Sequence, residues 1–152
     1  MARVSVNLSF PRTAEEAFNF YKSIFGGEFS RGGISRYSAM PVEIRTSPLD
    51  KKDENLIMHV ELPIFKDYLL MGADYLESMD RKLIVGNNVQ VSLEPNSKEE
   101  VDRLFSALSA GGKVIMKPMD AFRWSYFGMC EDKYGVQWMF DYMPEDKKQA
   151  MK

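Results

Sequence analysis

The sequence predicts an α+β fold of two tandem βαβββ modules, whose curved mixed sheets enclose a cavity and whose helices cover the outer faces. Three observations predict it. An alternating strand, a short polar link with a Glu-Glu pair and a helical stripe occur at the start of the chain and again from Asn87. Both stripes end at a Gly-Gly pair, and three further strand-like segments follow each. Such a repeat indicates duplication, and two half-covered sheets can bury each other's open faces.

The opening segment of each half has the period-two pattern of a half-buried strand. Apolar residues alternate with polar ones at Val4, Val6, Leu8 and Phe10, and again at Val89, Val91 and Leu93. Each module is therefore expected to begin with a strand that has one apolar and one polar face.

A helix is predicted after each opening strand. Thr13 with Glu16, and Ser97 with Glu100, have the spacing of a capping box, in which the hydroxyl and the carboxylate accept backbone hydrogen bonds. Apolar residues then recur at helical spacing, in the sets Ala17, Phe20, Tyr21, Ile24 and Val101, Leu104, Phe105, Leu108. The pairs Gly26-Gly27 and Gly111-Gly112 provide the permissive backbone that ends a helix.

The remaining segments complete two modules of one domain that covers residues 1–152. Further strands are predicted near residues 28–38, 55–65, 67–75, 113–119, 124–131 and 136–142. The segment 40–54 is rich in proline and charge and predicts a mobile loop. Residues 76–86 read as a linker, and the polar segment from Pro144 as a frayed tail. Module one then spans about 3–76 and module two about 87–143.

Composition excludes several functional classes. With 45% hydrophobic and 28% charged residues, the chain has the composition of an ordinary globular protein. Its net charge of -2 and scattered basic residues argue against nucleic acid as a partner. Cys130 is the only cysteine, which indicates a reducing, cytoplasmic location. The sequence has neither an 18-residue apolar run nor a signal-peptide pattern, so no membrane association is expected.

His59, the only histidine, lies in the strand-like segment "LIMHVELPI". Alternation places it on the same face as Glu61, opposite Met58, Val60 and Leu62. If the apolar set packs on a helix, His59 and Glu61 face the cavity, where the imidazole could act as an acid or base or hydrogen-bond a ligand. A structural histidine, or a metal site completed by a loop carboxylate, are the alternatives, although two protein ligands are few for a metal.

Neutral amides, thioethers and one aromatic ring are the predicted ligand-binding groups: Asn7, Met71, Asn88, Gln90, Trp124, Gln137 and Met139. Amides orient a polar ligand without activating a nucleophile, and thioethers and indole pack against apolar or aromatic surfaces. The alternatives are that the amide side chains bind trapped water and that aromatic side chains such as Trp124 belong to the hydrophobic core. Cys130 precedes two acidic residues, which raise rather than lower a thiol pKa, so it is not an expected nucleophile.

The segments "AEEAFNFYKSIFGGE", "IMHVEL" and "YFGMCEDKYGVQWMFDY" resemble the PhnB-like, or 3-demethylubiquinone methyltransferase-like, branch of the vicinal oxygen chelate superfamily. That superfamily includes glyoxalase I, extradiol dioxygenases and bleomycin resistance proteins. The resemblance covers nearly the whole chain, and "DKYGVQW" is its most specific part, whereas "FRWSYF" replaces a Trp-Gly-Asp step common in the branch. It implies a homodimer, because pockets in this superfamily are often completed by a partner.

Metal enzymes of the superfamily hold the ion with His or Glu at the ends of cavity-facing strands. The resemblance places Ser5, Asn88, Met71 and Met139 at those positions, and none suits a hard or borderline divalent ion. We therefore predict a small-molecule-binding protein without metal or cofactor, whose pocket lies between the modules or at a dimer seam and takes an apolar or aromatic ligand with polar groups.

The enzymatic alternative is a lyase, isomerase or transferase that uses His59 and Glu61 as acid and base, so the sequence leaves catalysis open. Methyl transfer is disfavoured, because no glycine-rich cofactor loop of the nucleotide-binding type is present.

Overall fold

The computed structural model describes residues 4–30, 32–45, 47–66, 68–78 and 82–150. The chain divides into two compact units, Met1–Ile84 and Val85–Lys152. Each unit contains one four-stranded sheet with mixed strand directions. The predicted α+β class and the two-module architecture are therefore confirmed.

The first unit contains β1 (Val6–Phe10), α1 (Ala14–Phe25), β2 (Ser35–Arg36), β3 (Ile57–Ile64) and β4 (Tyr68–Asp74). Its strands have the order β1-β4-β3-β2. The β1–β4 pair is parallel, and the other two pairs are antiparallel. A parallel pair needs a long crossover, which α1 and the strands after it provide.

The second unit contains β5 (Val91–Leu93), α2 (Lys98–Ser109), β6 (Lys113–Asp120), β7 (Tyr126–Glu131), β8 (Gln137–Tyr142) and α3 (Glu145–Ala150). The strand order β5-β8-β7-β6, with β5 parallel to β8, repeats the topology of the first unit. This equivalence is the structural form of the repeat seen in the sequence.

The buried face of α1 differs from the predicted stripe. Phe18, absent from that stripe, is fully buried, whereas Phe20 and Ile24 are only half-buried. The cause is Gly72 of β4, because a Cβ atom at that position would lie 2.3 Å from Cε2 of Phe18. The Phe18 ring occupies the space above the glycine, so Phe18 packs against the sheet.

The N-terminus of α1 is capped by a residue distant in sequence, so the Thr13 half of the predicted Thr13–Glu16 box is wrong. The Thr13 side chain makes no capping hydrogen bond. Instead, the buried carboxylate of Asp74 accepts a hydrogen bond from the Ala14 N–H at 2.9 Å, and its other oxygen accepts one from the Ile57 N–H at 2.9 Å. Asp74 thus ties α1 to two strands of its sheet.

The second helix follows the sequence prediction closely. The Ser97 hydroxyl accepts the Glu100 N–H at 3.1 Å, and the Glu100 carboxylate accepts the Asn96 N–H at 2.7 Å. The buried residues of α2 are those of the predicted stripe: Val101, Leu104, Phe105 and Leu108. The sequence was sufficient to predict this cap because both capping residues lie within one turn of the helix.

Three other predictions need correction. Among the described residues of 28–38, only Ser35 and Arg36 form a strand, because Gly32 and Gly33 adopt positive φ in a turn. The strand predicted from Val89 begins at Val91. The tail after Pro144, predicted to be frayed, forms α3. The described residues of the segment 40–54 include two short 3-10 turns, Val42–Ile44 and Lys51–Asp53, and the mobility of this loop stays a prediction.

None of the helices in the described part of the chain has both the length and the apolar character needed to cross a bilayer.

Candidate functional site

The candidate site lies on the face of the first sheet that points away from α1. Gly72 faces Phe18 of the helix, so Met71, one residue earlier, faces the other side. The strand register places Asn7 beside Met71, and Met71 beside Glu61. Three of the predicted residues therefore form one row across β1, β4 and β3.

His59 and Glu61 share this face and contact each other. Nε2 of His59 lies 2.9 Å from Oε1 of Glu61. The side chain of Glu61 is only 4% exposed, whereas that of His59 is 37% exposed. The imidazole is thus accessible, and the carboxylate that holds it is shielded from water.

Ser30 completes this cluster and was not found by sequence reasoning. Its hydroxyl donates to Oε2 of Glu61 at 2.8 Å, and its N–H donates to the Glu61 carbonyl at 3.0 Å. Ser30 lies 31 residues before Glu61 in a glycine-rich turn, so only the folded structure reveals the contact. Both carboxylate oxygens of Glu61 therefore have a hydrogen-bond partner, which favours one orientation of the side chain.

The cluster determines which nitrogen of His59 can meet a ligand. An ionised carboxylate only accepts hydrogen bonds, so a neutral His59 must carry its proton on Nε2. Nδ1 is then a hydrogen-bond acceptor, and no hydrogen bond to it occurs among the described residues. The arrangement resembles the carboxylate-oriented imidazoles of acid–base catalysts, but it also suits simple recognition of a donor group.

The second unit carries apolar residues at the two positions that are equivalent to His59 and Glu61. Met139 pairs with Met129 as Met71 pairs with Glu61, so Met129 occupies the position of Glu61. By the same register, Phe127 occupies the position of His59. The duplicated strands have therefore diverged, and the imidazole–carboxylate pair belongs to the first unit alone.

Of the predicted residues in the second unit, only Gln137 and Met139 lie on the sheet. Gln137 is buried, and its amide donates to the Glu131 carboxylate at 2.6 Å. Asn88 and Gln90 are exposed and precede β5. Trp124 is 61% exposed in a turn before β7, where the ammonium group of Lys147 lies 5.4 Å from its ring.

The family-specific run from Asp132 to Trp138 stabilises a turn. The buried carboxylate of Asp132 accepts hydrogen bonds from the N–H groups of Tyr134 and Val136 at 2.8 and 3.0 Å. Its second oxygen accepts the Trp138 indole N–H at 2.8 Å. Gly135, at φ +85°, provides the left-handed turn position. The motif thus fixes the β7–β8 hairpin.

Cys130 is buried beside this turn. Burial first, and the charge of Asp132 second, raise the pKa of its thiol from 9.0 to about 12. A thiol that stays protonated near neutral pH is a poor nucleophile, in agreement with the sequence prediction.

The residues at the superfamily's metal positions do not fit a divalent ion. Met71 and Met139 offer soft thioethers, while Ser5 and Asn88 precede their strands and offer neutral oxygens. In the described residues, no three His, Cys, Asp or Glu side chains lie close enough to share a metal. His59 and Glu61 supply two candidate ligands, and these bind each other.

Two mixed βαβββ sheets with a polar strand face define the class of glyoxalase, bleomycin resistance and dioxygenase-like folds. A protein of that description from Burkholderia phytofirmans has a TM-score of 0.56 at 19% identity, covering 91% of this chain and 96% of its own. The family model described as 3-demethylubiquinone-9 3-methyltransferase matches residues 2–140. The chain belongs to this PhnB-like family.

Two further relatives agree with this assignment. Protein YjdN of Escherichia coli is 26% identical over 151 residues, which cover 96% of this chain and 99% of that protein. The PhnB protein of Bacillus cereus has a TM-score of 0.71 at 25% identity, and the match covers 93% of this chain and 99% of that one.

Proposed function

We propose that the protein binds a small organic molecule on the face of its first sheet that points away from α1, and that it does so without a metal. The observation that carries the proposal is the fixed imidazole of His59, which the buried Glu61 holds at 2.9 Å. Because the ring is already oriented, binding loses little side-chain entropy.

The neighbouring residues suggest the chemistry of the ligand. Nδ1 of His59 accepts from a hydroxyl or N–H donor, Asn7 offers both a donor and an acceptor, and Met71 offers an adaptable apolar contact. A phenol has this combination of a donor and an aromatic body. The ligand contacts predicted from the sequence of the second unit stay predictions: Asn88, Gln90, Trp124, Gln137 and Met139.

Acid–base catalysis is the second candidate, and the same pair favours it. A carboxylate that holds an imidazole through Nε2 leaves Nδ1 able to remove a proton from a bound substrate. The protein would then be a lyase, isomerase or transferase in which His59 is the base and Glu61 orients it.

Methyl transfer is not part of the proposal, although the family description names it. The described strands form two mixed sheets, whereas nucleotide-type cofactors are commonly held by a glycine-rich loop at the end of a parallel sheet.

A phenol panel tests the proposal with three variants of the pair. His59→Ala removes Nδ1, His59→Asn restores an acceptor near the Nδ1 position, and Glu61→Gln removes the carboxylate. We expect His59→Ala to weaken binding by about tenfold, the loss of one hydrogen bond, and His59→Asn to recover part of it. Chemical-shift titration measures each affinity.

Time courses recorded on the same samples separate the two functions. Unchanged ligand with weaker binding in His59→Ala supports recognition. Turnover that is lost in both His59→Ala and Glu61→Gln, with the circular dichroism spectrum intact, supports catalysis instead. Equal affinities and no turnover in all variants would refute a role for the pair.

A further inference from the structure

A pocket of about 110 Å³ lies within the first unit, apart from the residues of the His59 face. Tyr37 and Leu76, both buried, line it together with side chains from the segment after Tyr37. The Tyr37 hydroxyl donates to the Asp74 carbonyl at 2.9 Å, which fixes the ring at the pocket. No residue predicted from the sequence as a ligand contact lines this pocket.

The lining is mostly apolar. Met40, Ile44, Leu49 and Leu76 supply aliphatic or thioether surface, and Tyr37 supplies an aromatic ring. An enclosed apolar cavity of about 150 Å³ binds benzene in another protein. The volume of this pocket is smaller, but the pocket opens to solvent, so a single ring can enter it in part while its substituent remains outside.

Arg45 is the charged side chain of the lining. Its Nε and Nη2 atoms donate to the Met40 carbonyl at 3.1 and 2.8 Å, which fixes the plane of the guanidinium. Nη1 is not used in these two bonds, and no ion pair of Arg45 occurs within the part of the chain that the structure describes. A half-buried guanidinium next to apolar side chains favours an anionic partner.

The segment that carries Arg45 is held by its own backbone. The Met40 N–H donates to the Tyr37 carbonyl at 3.0 Å, and the Arg45 N–H donates to the Val42 carbonyl at 3.2 Å. The first turn positions Met40, whose carbonyl orients the guanidinium, and the second turn positions Arg45. The cationic group and the apolar lining are thus arranged before any ligand binds.

We propose that this pocket binds a monocarboxylate with an apolar body of single-ring size, with the carboxylate on Arg45 and the body against Leu49 and Leu76. The two oxygens of a carboxylate match the planar arrangement of guanidinium N–H donors. Because the pocket has one guanidinium, we expect a ligand with one carboxylate. The site is separate from the proposed His59 site, and either can exist without the other.

Benzoate is a suitable probe, with benzyl alcohol as its neutral counterpart. Single-ring ligands with one charged contact bind with a Kd of about 1 mM at ordinary ligand efficiency. We expect benzoate to shift the backbone amides of Met40, Leu49 and Leu76 in a nuclear magnetic resonance titration, and to bind about tenfold more tightly than benzyl alcohol.

Arg45→Gln is the test variant, and Arg103→Gln on the exposed surface of α2 is its control. Arg45→Gln should lower benzoate affinity to that of benzyl alcohol, and because it also removes the two hydrogen bonds to the Met40 carbonyl, a small fall in melting temperature is expected. Arg103→Gln should keep the preference. Equal benzoate affinity in Arg45→Gln, shifts at residues outside the pocket, or no saturation by about 10 mM would overturn the proposal.

Discussion

Asp132, just after β7, and Glu61, within β3, both carry buried carboxylates, but their hydrogen-bond partners give them different roles. Asp132 receives three hydrogen bonds from its own hairpin, so its charge is used in holding the turn. Glu61 receives one from Ser30 and contacts the accessible His59. The sequence identified the run from Asp132 to Trp138 as the motif most specific to the family. A motif's specificity does not show whether its residues are structural or bind a ligand, whereas the hydrogen-bond partners in the structure do.

The Cys130 thiol should be unreactive in the native protein. It is 1% exposed, and its pKa of about 12 keeps it protonated. We expect negligible reaction with Ellman's reagent at pH 8 and complete reaction of one thiol after unfolding in guanidinium chloride. Fast labelling of the native protein would contradict the described burial.

The same raised pKa predicts how alkali affects stability. The unfolded thiol ionises near 9.0, whereas the native thiol ionises near 12, so its contribution is fully present below pH 9 and is lost as pH rises toward 12. The free energy of unfolding of wild type should therefore fall more steeply above pH 9 than that of Cys130→Ala. Parallel curves would show that the native thiol titrates normally.

At the scale of elements, the two helices have the same sequence pattern but different caps. Ser97 caps α2 through its own side chain, whereas Asp74 caps α1 from β4, 60 residues away. Helix α2 could therefore be predicted from its neighbours in sequence. The cap of α1 could not, because it depends on the pairing of β1 with β4.

Alanine variants of the caps should show this difference. Ser97→Ala should lower the free energy of unfolding by about 1 kcal/mol, the usual value of an N-cap. Thr13→Ala should cost less than about 0.5 kcal/mol, because Thr13 makes no cap hydrogen bond. Asp74→Ala leaves two buried N–H groups unsatisfied and should cost about 3 kcal/mol.

Urea unfolding followed by circular dichroism measures the three values. Lys66→Ala, at an exposed position after β3, is the control and should change stability little. If Thr13→Ala and Ser97→Ala were equally destabilising, the described cap of α1 would be incorrect.

At the scale of the whole molecule, metal content and oligomeric state can be measured together. The donor set described above does not fit a divalent ion, and the resemblance to the superfamily predicts a homodimer. Native mass spectrometry of protein purified without chelator should show two chains and no additional mass. One tightly held ion per chain would contradict metal independence, and a monomer at micromolar concentration would contradict dimerisation.

By itself, the sequence determined the duplicated α+β architecture, most strands, the second helix with its cap, and the joint position of His59 and Glu61 on one strand face. Periodicity and capping patterns report local geometry, and these features are local. Tertiary structure alone decided the contact of Ser30 with Glu61, the Asp74 cap, the packing of Phe18 on Gly72 and the pocket beside Arg45. Each of these features joins residues that are far apart in the chain or depends on how side chains fill space. Contacts of these two kinds leave no periodic pattern in the sequence.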